Sequence, residues 1–492
     1  MVKNQVQLIT YVDRLTGGGL PELKALLEGP LAGLFGGIHL LPFFDPIDGA
    51  DAGFDPVDHT RIDPRLGDWA NIKALSHTTG VMADLIANHI SRQSPQAQDW
   101  LAQGPASDWH GLLLTRESVF GTAPDEAALK AIYRPRRGLP FSEATLGSGE
   151  TVQLWTTFTP DQVDIDVTHP LGEKYLDGIL QTFAANGVTM VRLDAVGYCI
   201  KKPGTSCFML PETFAYIDRL SARVRELGMA VLVEIHSYYQ QQIAIAKQVD
   251  WVYDFALPPL LLHAFAFKTA APLKHWLQVR PTNALTVLDT HDGIGVIDIG
   301  PDGSREKPGL VPSEELDQLV EIMHENSQGQ SRLATGAAAS NLDLYQVNCT
   351  YYDALGGDDL NYLLARAIQF FTPGIPQIYY TGLLAGRNDM ALLARTSVGR
   401  DINRHFYTPD EVLAALDTPV VRKLCELTRL RNTHPAFQGE FSLLTSGDSI
   451  LHMGWQQGEE RATLMVDFAA GLHQLHFSDK GKIVELSLEP TP

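Results

Sequence analysis

Short apolar or β-branched runs recur along the chain, each closed by a turn and followed by a stretch of helical periodicity. Residues 6–10, 37–41, 81–87, 189–193, 230–234, 251–253, 285–288 and 377–380 read as eight strands. None shows clean polar–apolar alternation, which is the pattern of strands covered on both faces of a parallel sheet. Amphipathic helices fall between them. Leu176, Ile179, Leu180 and Phe183 form one apolar stripe, and Ile217, Leu220, Val224 and Leu227 form another. Eight strands alternating with helices predict a closed (β/α)₈ barrel, with an open doubly wound sheet as the alternative.

Two stretches interrupt the alternation, so the barrel is expected in three parts, 1–88, 167–291 and 358–435. Residues 89–166, rich in Gly, Pro, Ser and Trp, read as one inserted domain, and 292–357 as a second. From 436 to 492 the pattern changes to short strands separated by turn residues, which predicts a small antiparallel β domain.

Composition narrows the function. The chain has 492 residues with 38 basic and 58 acidic side chains, a formal charge of −20. Such a balance argues against nucleic acid or an anionic membrane as partner and suits a neutral substrate. Cys199, Cys207, Cys349 and Cys425 show no regular spacing, so free thiols in a reducing compartment are expected. The first residues lack the pattern of a signal peptide, and no run reaches the length of a spanning helix; a cytoplasmic protein is expected.

Chemistry concentrates at the predicted strand ends, where barrel enzymes place their reacting groups. The third strand ends DLIANH, the fourth VRLDAV, the fifth LVEIHS, and the seventh is followed by LDTHDG. Two carboxyls flanking a sugar cleave a glycosidic bond by double displacement. Asp194 suits the attacker, because Arg192 two residues earlier shares its strand face and favours the ionised form. Glu234 suits the acid, held protonated by burial and neighbouring charge. Asp292 suits a third carboxylate that favours positive charge in the transition state. Each of these residues alone has a plainer reading: Asp84 as a strand cap bonded to backbone, His236 and His291 as buried hydrogen-bonding groups.

RLDAV, VEIHS, THDG and DLIANH together resemble the four signature regions of the α-amylase superfamily of retaining glucosidases and transglycosylases (glycoside hydrolase family 13). The resemblance runs the length of the chain. Longer strings, among them DGADAGFDPVDHT, IYRPRRGLPF, FTPDQVDID, LDTHDGIGVIDIG and AASNLDLYQVN, are most similar to the sucrose phosphorylase branch. This likeness implies Asp194 as nucleophile, Glu234 as general acid/base and Asp292 as transition-state stabiliser. It also implies that Asp51, Phe54, His89, Phe158, Arg192, His291 and Arg400 surround the glucosyl unit. Arg136, Gln162, Tyr198, His236, Leu342, Asp343, Tyr345 and Gln346 would then receive the acceptor or phosphate.

The implied reaction is sucrose plus inorganic phosphate giving α-glucose 1-phosphate and fructose, with no cofactor and no metal. Amylases often bind calcium near the residue matching Asn88, but no cluster of oxygen ligands in this sequence compels an ion. Alternatives stay open: phosphorylases of glucosylglycerol, glucosylglycerate or sucrose 6'-phosphate, a sucrose hydrolase, or a non-catalytic binding protein on the same scaffold. Similar enzymes include homodimers, and the sequence leaves monomer or homodimer undecided.

Overall fold

The computed structural model describes residues 2–49, 51–121, 123–136, 138–302, 307–335 and 346–490. All eight strand runs form strands: β1 (Gln7–Thr10), β2 (Gly37–Leu40), β3 (Gly80–Ile86), β4 (Val188–Asp194), β5 (Ala230–Val233), β6 (Trp251–Asp254), β7 (Ala284–Thr286) and β8 (Ile375–Tyr379). Every neighbouring pair is parallel, and β1 pairs with both β2 and β8, so the sheet closes on itself. Gln7 stands opposite Gly37 on one side and Gln377 on the other. The open-sheet alternative is thereby excluded.

The helices pack as the apolar stripes require. In the helix Pro170–Ala185, Leu176, Ile179, Leu180 and Phe183 are all buried. In Pro211–Glu226, Ile217, Leu220 and Val224 are buried, while Leu227 caps the end half-buried. Both helices start with proline, which fixes a helical φ where no backbone donor is needed. The helix Pro419–Thr433 ties the last part of the barrel to the segment around β1. Its Asn432 accepts from Val6 N at 2.7 Å and donates to Leu34 O at 2.8 Å, and Arg431 donates to Asn4 Oδ1 at 2.7 Å.

Both expected insertions carry strands outside the barrel ring. Between β3 and β4, His89–Ser91 pairs antiparallel with Gln162–Asp164, and Phe141–Thr145 with Thr151–Trp155. Between β7 and β8, Ile294–Gly295 pairs with Gln346–Val347, and a helix spans Ser313–Asn326. The tail is a five-stranded antiparallel meander: β9 (Glu440–Leu443), β10 (Ile450–Gln457), β11 (Glu460–Asp467), β12 (Leu472–Asp479) and β13 (Lys482–Glu485). Trp455 of β10 anchors it by donating Nε1–H to Phe371 O at 2.7 Å. All four cysteines are buried free thiols. No helix among the described residues is long and apolar enough to cross a membrane.

Candidate active site

The cross-strand register of β3 and β4 sets Arg192 directly beside Asp84, and alternation puts Asp194 on the same face as Arg192. Arg192, buried, donates from Nη1 to Asp84 Oδ1 at 2.6 Å and to Asp194 Oδ1 at 2.7 Å. Its Nη2 lies 3.8 Å from Glu234 Oε1, just beyond the end of β5. One guanidinium thus spans the two carboxyls. Asp84 does not cap its strand through backbone, as its isolated position suggested. Its carboxylate is held between Arg192 and His39 Nε2, the latter at 2.8 Å, and fixes the arginine from behind.

Burial pushes the Asp194 carboxyl up to about 8, with Glu234 and Asp84 adding to the rise and Arg192 opposing it. The sequence suggested that Arg192 keeps Asp194 charged; in the structure burial and the neighbouring carboxyls outweigh that cation. The chain turns sharply after Asp194. Ala195 takes φ 53°, a left-handed conformation unusual for a residue with a Cβ, and a single 3₁₀ turn, Val196–Tyr198, follows.

Asp292 arrives from the loop after β7. Burial works against its charge, but Arg400 Nη1 at 2.7 Å, with His291, Arg192 and Arg404 nearby, holds its carboxyl well below the usual range. His291 is driven the other way: burial, with Arg192 and Arg404, lowers it to about 3, so its ring is neutral. Phe54 stacks on that ring at 4.9 Å between centroids, and Phe158 lies tilted against His89 at 5.4 Å. Asp51 is half-buried; desolvation works against its charge, but Arg400, Arg404 and Arg136 lower its carboxyl.

These groups line one cavity of about 1000 Å³, including its open mouth. Asp194, Glu234 and Asp292 all face it, with Asp51, Phe54, His89, Phe158, His291 and Arg400; Arg136, Tyr198, His236 and Gln346 close the outer side. Two expected contact residues stand behind the wall instead. Arg192 is occupied by Asp84 and Asp194, and Gln162, grouped with the acceptor residues by resemblance, is fully buried and donates to Asp51 Oδ2 at 3.1 Å and Phe54 O at 3.2 Å. Its place in the strand opposite Ser91 directs it to Asp51. Leu342, Asp343 and Tyr345 lie outside the described residues.

His236 stacks on Phe255 at 3.8 Å and shares a hydrogen bond at 3.0 Å between Nδ1 and Asp298 Oδ2. Burial opposes its charge, but Asp298, Glu234 and Asp292 together raise it to about 9. It is therefore an imidazolium at neutral pH. Donor atoms of Glu234, His236 and Asp292 lie within 4.8 Å of one another, a grouping of metal-binding types. A protonated imidazole offers no lone pair, so this set does not fit a metal ion in that state.

Lys201 escaped the sequence reading. Its ammonium is buried between Asp164 Oδ2 at 2.7 Å, Asn88 Oδ1 at 2.9 Å and Tyr198 O. The chain supplies its own cation beside Asn88, where the resemblance to amylases raised the question of calcium. Nothing in the string CIKKPG marks one lysine as buried and its neighbour as exposed; only the fold separates them. Tyr133, Phe208 and Ile297 also line the cavity and were not anticipated.

An eight-stranded barrel with three carboxyls converging at the mouth defines a class of glycoside-cleaving enzyme, and comparison with known proteins agrees. Residues 33–260 match the model of the α-amylase catalytic domain. The sucrose phosphorylase of Agrobacterium vitis is 58% identical over 96% of both chains. That of Bifidobacterium adolescentis is 52% identical over 96% of this chain and 94% of its own. The crystal structure of sucrose 6F-phosphate phosphorylase from Thermoanaerobacter thermosaccharolyticum superimposes with a TM-score of 0.91 at 36% identity, covering 99% and 98% of the two chains. The chain belongs to the sucrose phosphorylase family of α-amylase-type enzymes.

Proposed function

We propose that the protein is a retaining sucrose phosphorylase acting through a covalent glucosyl ester on Asp194. The supporting observation is the convergence of Asp194, Glu234 and Asp292 on one cavity, with Arg192 bridging the first two. Arg192 lies 2.7 Å from Asp194 and 3.8 Å from Glu234, so its cation supports the attacking carboxylate more than the acid.

In the first step an Asp194 oxygen bonds to the anomeric carbon, the bond to the fructosyl oxygen breaks, and that oxygen takes the Glu234 proton. In the second, an oxygen of hydrogen phosphate bonds to the same carbon, the ester to Asp194 breaks, and the phosphate proton returns to Glu234. Two inversions retain the α configuration. Asp292, kept ionised by Arg400, favours the positive charge on the ring in both transition states. Arg136 and the His236 imidazolium supply cations to a dianion entering a cavity lined by four carboxyls, Asp51, Asp194, Glu234 and Asp292.

The decisive assay is sucrose cleavage by purified protein with and without phosphate, following glucose 1-phosphate and free glucose. Phosphate-dependent release of α-glucose 1-phosphate is expected. Free glucose formed at a rate indifferent to phosphate would make the protein a hydrolase. Glucosylglycerol, glucosylglycerate and sucrose 6'-phosphate in the same assay identify the preferred donor.

A further inference from the structure

His236 projects just beyond β5, two residues after Glu234, and its ring is fixed on every side. Phe255 lies flat against one face. Asp298, in the 3₁₀ turn Ile297–Ile299, is fully buried and faces Nδ1. Its second oxygen accepts from Ser237 N at 3.2 Å and Gln242 Nε2 at 2.5 Å, so the carboxylate is itself held rigidly. A methyl group at Gly295 would stand 2.7 Å from Asp298 Oδ2 and 3.1 Å from His236 Nδ1. The glycine is present for space, and it pairs with Gln346, which also lines the cavity.

With Nδ1 engaged, Nε2 is the ring's remaining donor. It lies 3.9 Å from Glu234 Oε1, beyond hydrogen-bond reach. The charged groups around the ring are Asp298, Glu234 and Asp292.

We propose that Asp298 is a positioning residue for the phosphate half-reaction: it holds the His236 ring with Nε2–H turned into the cavity as a fixed donor to the incoming phosphate. The inference rests on the phosphorylase reading and deepens it. A buried carboxylate on Nδ1 also sustains the imidazolium, as second-layer carboxylates do for histidines whose other nitrogen meets a ligand. Water needs no such cation, so the pair favours phosphate over hydrolysis.

Asp298→Asn keeps the size and removes the charge. The phosphate KM of the variant is expected to rise about tenfold, a typical loss for one charge-assisted hydrogen bond. Phosphate-free hydrolysis of sucrose should stay within about twofold, since that rate needs no anion site. Phosphate is a dianion throughout the alkaline range, so in wild type its KM should climb as His236 discharges near 9. In Asp298→Asn the climb should begin at lower pH, because the carboxylate that raises His236 most is gone. His236→Gln, a neutral donor in the same place, should abolish that climb and carries the test if Asp298→Asn folds poorly. An unchanged phosphate KM, hydrolysis falling by the same factor as phosphorolysis, or a climb that survives His236→Gln each overturns the proposal. Wild-type protein indifferent to phosphate sinks the phosphorylase reading with it; wild type that uses phosphate beside an indifferent Asp298→Asn sinks only this one.

Discussion

Replacing Lys201 by Met leaves a carboxylate stranded. Asp164 is fully buried, and its partners are the Lys201 ammonium at 2.7 Å and Thr157, whose N and Oγ1 lie at 3.0 and 2.5 Å. Removing one partner of a buried ion pair costs about 3–5 kcal/mol, and the two surviving Thr157 donors place this case near the lower end, at ~3 kcal/mol. At ~2.1 cal/mol/K per residue, the unfolding entropy of the chain is about 1 kcal/mol/K, so the expected loss is ~3 °C in Tm by scanning calorimetry. The cause is separable from lost packing. Asp164→Asn alone strands the ammonium, whereas Lys201→Met combined with Asp164→Asn removes both charges and should recover most of the deficit. Because Asp164 pairs in register with His89, the single variant should also raise the sucrose KM. A double variant as unstable as the sum of the two singles would refute the reasoning.

Three further outcomes follow from the site. Arg400→Gln removes the cation that keeps Asp292 ionised, so kcat/KM should drop about 10²-fold or more, and the acid limb of its pH profile should move upward; an unmoved limb would dissociate the pair. Glu234→Gln lacks the proton for the fructosyl oxygen and should lose about 10²–10⁴-fold of sucrose turnover, while undiminished activity would contradict the assignment. His59, buried and donating Nε2–H to Asp84 O, is lowered to about 4 by burial. An unfolded histidine takes its proton at about 6.5, so this site's stabilisation is complete above that pH and is lost progressively as pH falls to 4, up to about 3 kcal/mol. Tm measured across that window should decline, and His59→Gln should flatten the decline; an identical slope in the variant would exclude His59 as its source.

The strands were legible because a barrel strand is a local signal: three to seven mostly apolar residues ended by a turn. The three carboxyls were legible because each lies at or soon after a strand end: Asp194 closes β4, Glu234 comes next after β5, and Asp292 sits in the loop after β7. What escaped depends on distance along the chain. Asp84 meets Arg192 across 108 residues, Lys201 meets Asn88 across 113, and Asp298 meets His236 across 62. No periodicity encodes those meetings. Gln162 was grouped with the acceptor residues by resemblance, yet strand pairing with residues 89–91 turns it to Asp51. Arg192 two residues before Asp194 suggested a charged carboxylate; burial, with Glu234 and Asp84 beside it, raises that carboxyl in spite of the arginine.

Closure of the ring through β1 and β8 also orders events at the ribosome. Residues 7–10 emerge well before one of their two hydrogen-bonding neighbours, 375–379, which is translated some three and a half hundred residues later, and the clamp at Asn432 comes later still. Until then the nascent chain carries an open parallel sheet with two unsatisfied edges, the state most prone to pairing with another chain. Synthesis halted before residue 375 therefore yields an unclosed intermediate rather than a smaller folded enzyme.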